Sequence, residues 1–88
     1  MSELKFSEER FYDPINSSVK FTCTTGERDI DCRVPSETLC DSFECFCNEK
    51  ELLRVFDENR RSIENTASVM IKEGKYDDNI LILNNILD

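Results

Sequence analysis

The side chains in this chain whose type could do chemistry are five cysteines, at positions 23, 32, 40, 45 and 47, together with several neighbouring carboxylates. Tetrahedral zinc wants four Cys or His ligands, commonly in C-x₂-C pairs. This chain has no histidine and no C-x-x-C. Cys45-Phe46-Cys47, with Cys40 as a third thiolate, could instead hold a metal or run a dithiol redox couple. A one-residue spacing is weak evidence for either, and small buried thiols are the plainer reading. Asp41, Glu44 and Glu49 disfavour a thiolate in this cluster, and Lys50 alone acts the other way. An odd number of cysteines also cannot close entirely into internal pairs.

The carboxylate pairs are Glu8-Glu9, Asp29 with Asp31, and Asp77-Asp78. General acid–base work sets two carboxyls in different environments, whereas neighbouring carboxylates in an acidic chain are usually solvated surface. The Asp-rich turn lacks the alternating ligands and terminal Glu of a calcium loop. Phosphate cradles, nucleophile elbows and H-E-x-x-H are absent, and without histidine the side chain best suited to proton transfer near neutrality is missing. No catalytic residue, metal or cofactor is expected. Arg54, Arg60 and Arg61 are the basic feature of the longest helical segment, as ion-pair partners of Asp57, Glu58 and Glu64 or as a contact surface. Arg60, Arg61, Asp29 and Asp31 are the expected interaction residues.

These side chains must be positioned by rather few elements. Val19 to Thr24 and Ile30 to Val34 alternate apolar and polar residues around Gly26-Glu27, which predicts a β-hairpin. With a two-residue loop, Cys23 faces Ile30, Phe21 faces Cys32 and Val19 faces Val34, so that all six lie on one face. Tyr12-Asp13-Pro14 ends the first segment, and Leu4-Lys5-Phe6 is a candidate edge strand. Pro35 ends the second hairpin strand. Ser36 is then the expected cap of a short helix that turns Leu39 and Phe43 inward, with Cys40 and Phe46 as further candidates.

Asn48 with Glu51 three positions on opens a long helix whose apolar residues recur at Leu52, Phe56, Ile63, Ala67 and Met70. Asp57 with Arg61 and Arg60 with Glu64 have i,i+4 spacing on its outer side. Gly74 is the expected helix stop. Ile80 to Leu83, after a turn at Asp77 to Asn79, favours a strand ending near Asn84 over a short helix. The sum is an α+β fold in one domain over residues 1–88: a three-stranded antiparallel sheet, built from the hairpin and a C-terminal strand, with a short and a long helix packed on one face. Residues 1–10 are either loosely ordered or an edge strand.

Eighty-eight residues build one modest core and leave little room for an enclosed active site. The longest unbroken apolar run, Ile80 to Leu83, is four residues, far from the ~20 of a membrane span. A cytoplasmic chain is expected, without a membrane partner. Nineteen acids against 11 bases give a net charge of −8. Residues 1–47 contribute −5, residues 48–75 nothing and residues 76–88 the remaining −3. Nucleic-acid binding draws on clustered bases, and Arg60-Arg61 is the one such pair, so nucleic acid is not an expected ligand.

Val19-x-Phe21, Gly26, Ile30-x-Cys32-x-Val34, Ser36-Glu37-x-Leu39-x-Asp41-x-Phe43 and Phe56-x-x-x-Arg60-x-x-Ile63-Glu64-x-x-Ala67, in that order, resemble a small bacterial family catalogued as domain of unknown function 1488. The resemblance spans roughly residues 10–84 and implies a compact α+β domain of a cytosolic bacterial protein, with no established activity to carry over. Its recurring Cys and Arg fall on Cys32 and Arg60, and Cys40, Cys45 and Cys47 are additional to its pattern. The expected function is a non-enzymatic interaction or regulatory module for an unknown protein partner. Homodimerisation through a strand edge or the long helix is a further expectation. The alternatives are a thiol-based metal or redox protein using Cys40, Cys45 and Cys47, and a mobile-element inhibitor that mimics nucleic acid.

Overall fold

In chain order the elements are β1 (Lys5–Phe6), β2 (Phe11–Asp13), β3 (Ser18–Thr24), β4 (Asp29–Pro35), α1 (Ser36–Phe43), α2 (Glu49–Glu58), α3 (Arg60–Lys72) and β5 (Ile80–Ile82). They come from a computed structural model that describes residues 4–44 and 46–86. Strands β3 and β4 pair in the register the alternation predicts: Val19 with Val34, Phe21 with Cys32 and Cys23 with Ile30. All six side chains are buried. The Gly26-Glu27 turn is closed by Thr25, whose amide donates to the Arg28 carbonyl at 2.8 Å and whose Oγ1 accepts from the Glu27 and Arg28 amides. An ST-turn of this kind sets the turn without a left-handed glycine.

The sheet has five strands rather than three, because the N-terminal segment pairs twice along the free edge of β3. β1 meets its upper half and β2 its lower half, both antiparallel. Between them the Ser7 amide donates to the Thr22 carbonyl and the Thr22 amide donates to Ser7 Oγ. Residues 7–10 bulge outward from there, over the helices. β5 joins the opposite edge parallel to β4, so the sheet is mostly and not wholly antiparallel. The geometry follows from the connection: three helices carry the chain from the end of β4 back to the beginning of its neighbour, as a crossover must. β5 stops at Ile82, although the Leu83 amide still donates to the Arg33 carbonyl.

One face of the sheet is covered. Leu39 of α1, Leu52, Val55 and Phe56 of α2, Ile63, Ala67 and Ile71 of α3, and Leu81 and Leu83 complete a single core with the hairpin's six residues. At ~25 cal/mol per Å² of apolar surface removed from water, this cluster supplies the main driving force for folding. Phe21 sits at its centre, with its ring 5.3 Å from Phe56 and 6.0 Å from Phe6.

The long helix is interrupted at Asn59, where the backbone reaches φ −116 and ψ 20 and leaves the helical region. Asn59 satisfies the broken turn by donating its amide to the Val55 and Phe56 carbonyls and its Nδ2 to the Val55 carbonyl. Such local competition from an Asn side chain is a common way to end a helix. The expected ends hold elsewhere. Asn48 Oδ1 accepts from the Glu51 amide at 2.9 Å. Gly74 (φ +73) donates to the Ile71 carbonyl while Lys75 donates to Met70, a Schellman closure. Ser36 departs from expectation. Pro35 takes the cap position of α1 without a side-chain bond, and Ser36 Oγ donates to the Ser17 carbonyl. Phe46, an inward candidate, is 77% exposed.

Arg60 fastens the N-terminal bulge to the break between α2 and α3. Its Nη2 donates to the Ser7 and Glu8 carbonyls, both at 2.9 Å, its Nε lies 3.1 Å from Glu64 Oε2, and its guanidinium covers the Phe56 ring at 5.3 Å. Arg60→Ala is therefore expected to lower unfolding free energy by about 1–3 kcal/mol, since two carbonyls of the bulge lose their donor. Arg60→Lys should recover less than half of that, because an ammonium lacks the planar fork. Urea denaturation of the three proteins checks it.

Candidate functional site

The outer face of the sheet is the surface that the fold positions for contact. Because strand side chains alternate, burying Val19, Phe21 and Cys23 turns Lys20, Thr22 and Thr24 outward, and burying Ile30, Cys32 and Val34 does the same for Asp29, Asp31 and Arg33. The pairings align a row across four strands: Phe11 opposite Lys20, Lys20 opposite Arg33, and Arg33 opposite Ile82. Phe11 is 61% exposed and Ile82 47%. The next row sets Thr22 beside Asp31 and Asp31 beside Ile80. The apolar residues thus stand at the two edges of the face and the charges in the middle.

Those charges are mutually engaged. Asp31 Oδ2 lies 3.0 Å from Arg33 Nη2 and 3.9 Å from Lys20 Nζ, and Asp29 Oδ1 accepts from Thr24 Oγ1 at 2.9 Å. Asp29 and Asp31 therefore do share one face, as their spacing requires, but each already has a partner on it. Such half-exposed pairs are worth at most about 1 kcal/mol and are easily exchanged for a partner's groups.

The arginines separate. Arg60 is committed internally, as described above. Arg61 is exposed and makes no ion pair among the described residues. The expected Asp57–Arg61 pair does not form, because Asp57 receives a bidentate bond from Arg10 at 2.9 and 2.8 Å. That contact holds the Asp57 carboxyl below its ordinary range. No sequence-local signal could reveal it, since the partners are 47 residues apart. Arg54 bridges Glu51 and Glu58. The helical carboxylates Glu51, Asp57, Glu58 and Glu64 are thus interleaved with bases instead of forming one unpaired stripe.

The cysteines form two sets. Cys40 and Cys47 are joined by a disulfide, whereas Cys23 and Cys32 are free thiols buried in the core. Burial pushes the Cys32 thiol up to about 12 and raises Cys23 as well, so neither is ionised near neutrality. Cys45 lies outside the described residues. Among the described residues no group of three or more Cys, Asp, Glu or His is placed to hold a metal ion.

A cleft of ≈ 400 Å³ between the hairpin turn and the end of α3 is lined by Arg28, Lys72 and Tyr76 over Leu4 and Ile71. A second, of ≈ 320 Å³, lies between α3 and Asn84-Asn85. Neither brings a thiol to a base. Among the described residues no helix is long and apolar enough to cross a membrane.

Comparison with known proteins gives a family and a fold. The family described as "Protein of unknown function (DUF1488)" matches residues 4–83. A crystal structure of a protein of unknown function from that family, from Shewanella loihica PV-4, is 23% identical, with a TM-score of 0.87 over 96% of this chain and 94% of that one. At that identity the likeness speaks for the fold. No curated protein matches.

The two core thiols should be inert in the folded chain. Reaction of Cys23 and Cys32 with an aromatic disulfide reagent at pH 8 is expected to be at least about 100-fold slower without denaturant than with it, since it waits on opening of the sheet. Peptide mapping of the labelled cysteines measures this.

Proposed function

The chain belongs to the DUF1488 family of proteins of unknown function, and from that premise we propose that it is a non-enzymatic interaction module that binds a basic partner protein through the outer face of its sheet. The observation that carries this is the uncovered cross-strand row from Phe11 through Lys20 and Arg33 to Ile82. Phe11 and Ile82 are large apolar side chains left in water at the two ends of this row, and a partner that covered them would remove that surface from water. The central Asp31–Arg33–Lys20 group can open to pair with charges of both signs. A net charge of −8 favours encounter with basic proteins, an effect that weakens as salt rises.

Both free edges of the sheet argue against pairing by strand addition. On β5, the Ile80 amide and carbonyl are already bonded to Asp77, and on the other side β1 and β2 are two short pieces separated by a bulge. Blunted edges of this kind suppress edge-to-edge association. The face, not the edge, is the proposed contact. The absence of histidine and the inert core thiols fit a role in contact rather than in bond-making. A bacterial cytosol is the proposed setting.

Site-specific photocross-linking in cells of the source organism tests the reading, with the reactive group replacing Phe11 or Ile82 on the face and Asn65 on the exposed side of α3. The expected result is one adduct, the same protein from both face positions and absent from Asn65. Its association rate with the purified chain should fall at least about tenfold between 50 and 500 mM salt. Adducts from Asn65 alone, from neither face position, or with an acidic protein whose binding ignores salt would overturn it.

A further inference from the structure

Two cysteines outside the sheet, Cys40 and Cys47, lie together at the junction of α1 and α2. Cys40 is half-buried in α1 against the core, while Cys47 is exposed immediately before the Asn48 cap of α2. Their Cα atoms are 6.5 Å apart and their sulfurs are bonded across a sequence separation of seven. We propose that Cys40 and Cys47 form a reversible dithiol–disulfide site, exchanging with a low-molecular-weight thiol–disulfide couple of the glutathione class, whose state governs how readily the backbone at Phe46 yields to a protease.

Three features set this pair apart. The bond closes a short loop, so it withholds less chain entropy from the unfolded state than a long-range bridge would. α1 is anchored independently by buried Leu39, and α2 by buried Leu52, Val55 and Phe56 together with the Asn48 cap. Reduction should therefore release the loop and leave the body intact. Exposed Cys47 offers its sulfur to an attacking thiolate, which the sheet denies at Cys23 and Cys32. A reporter lies beside the bond, because Phe46 is 77% exposed and stands two residues after Glu44, the left-handed residue (φ +46) that ends α1.

The exchange balances. A thiolate RS⁻ attacks Cys47 Sγ, forming a mixed disulfide as the Cys40 sulfur leaves with the electron pair of the old bond and takes up a proton. A second RS⁻ attacks the R sulfur of that mixed disulfide, forming RSSR and releasing Cys47 as a thiolate that is then protonated. Net, one protein disulfide and two RSH give two protein thiols and one RSSR, and oxidation is the reverse with RSSR as oxidant.

The full chain, equilibrated in buffers of graded reduced and oxidised glutathione, is quenched with an alkylating label and mapped by peptide mass spectrometry. Cys40 and Cys47 are expected to gain label together as the buffer passes from oxidised to reduced glutathione and to lose it together on the return, in Cys45→Ser as in the parent. Chymotryptic cleavage after Phe46 should be about tenfold faster in the reduced chain. Cys40→Ser and Cys47→Ser should each cleave at that faster rate in every buffer while keeping the parent's far-ultraviolet circular dichroism. Failure of the pair to oxidise in oxidised glutathione, pairing of either residue with Cys45 instead, loss of the behaviour in Cys45→Ser, or cleavage rates that ignore the redox state would each overturn the proposal.

Discussion

The pairing register of β3 and β4 is the constraint on which the rest of this structure depends. Side chains along a strand alternate with a period of two, so one register buries Val19, Phe21, Cys23, Ile30, Cys32 and Val34 together. The same choice assigns Lys20, Asp31 and Arg33 to the opposite face. A shift of one residue in either strand would put a charge under the helices and strip the core of half its sheet contribution. Phe21 shows how much follows from this: its ring touches Phe6 of β1 and Phe56 of α2, and Arg60 caps Phe56 from outside. Strand, helix and N-terminal bulge are thereby joined through one row of side chains.

What could be read from the residue order alone was whatever local pattern determines. The hairpin register, the Asn48 cap and the Gly74 stop each depend on neighbours within a few residues, and each is found in place. Features that depend on distant partners were not legible. β2 exists because Phe11 to Asp13 find the free edge of β3, and nothing in that tripeptide says so. β5 reads as a strand, but its parallel direction is a property of the three-helix connection before it. The break at Asn59 hides inside an apolar periodicity that continues on both sides of it. Asp57 has the spacing for Arg61, yet Arg10 reaches it with both nitrogens of its fork.

The candidate site divides along the same line. That Asp29 and Asp31 face outward together follows from alternation, and the structure adds that both are already engaged on the sheet. Arg60 was legible as a base of the long helical segment spaced for Glu64, but its hold on the Ser7 and Glu8 carbonyls was not. The apolar ends of the face, Phe11 and Ile82, come from segments far apart in sequence and meet only through the pairings on either side of the hairpin. An acidic chain without histidine, whose two core thiols are sealed between strands, puts its chemistry at its surface.

The register is directly measurable by nuclear Overhauser effects. Across an antiparallel pair, Hα atoms approach closely only at non-hydrogen-bonded positions. Here the Thr22 carbonyl bonds toward the N-terminal bulge and the Asp31 amide toward Asn79, so Thr22 and Asp31 form such a position. Strong Hα–Hα contacts are predicted for Thr22 with Asp31 and for Lys20 with Arg33, together with slow amide exchange at Phe21 and Cys32. Contacts instead between Thr22 and Cys32, or between Lys20 and Val34, would place the charged residues inward and contradict the assignment of both faces.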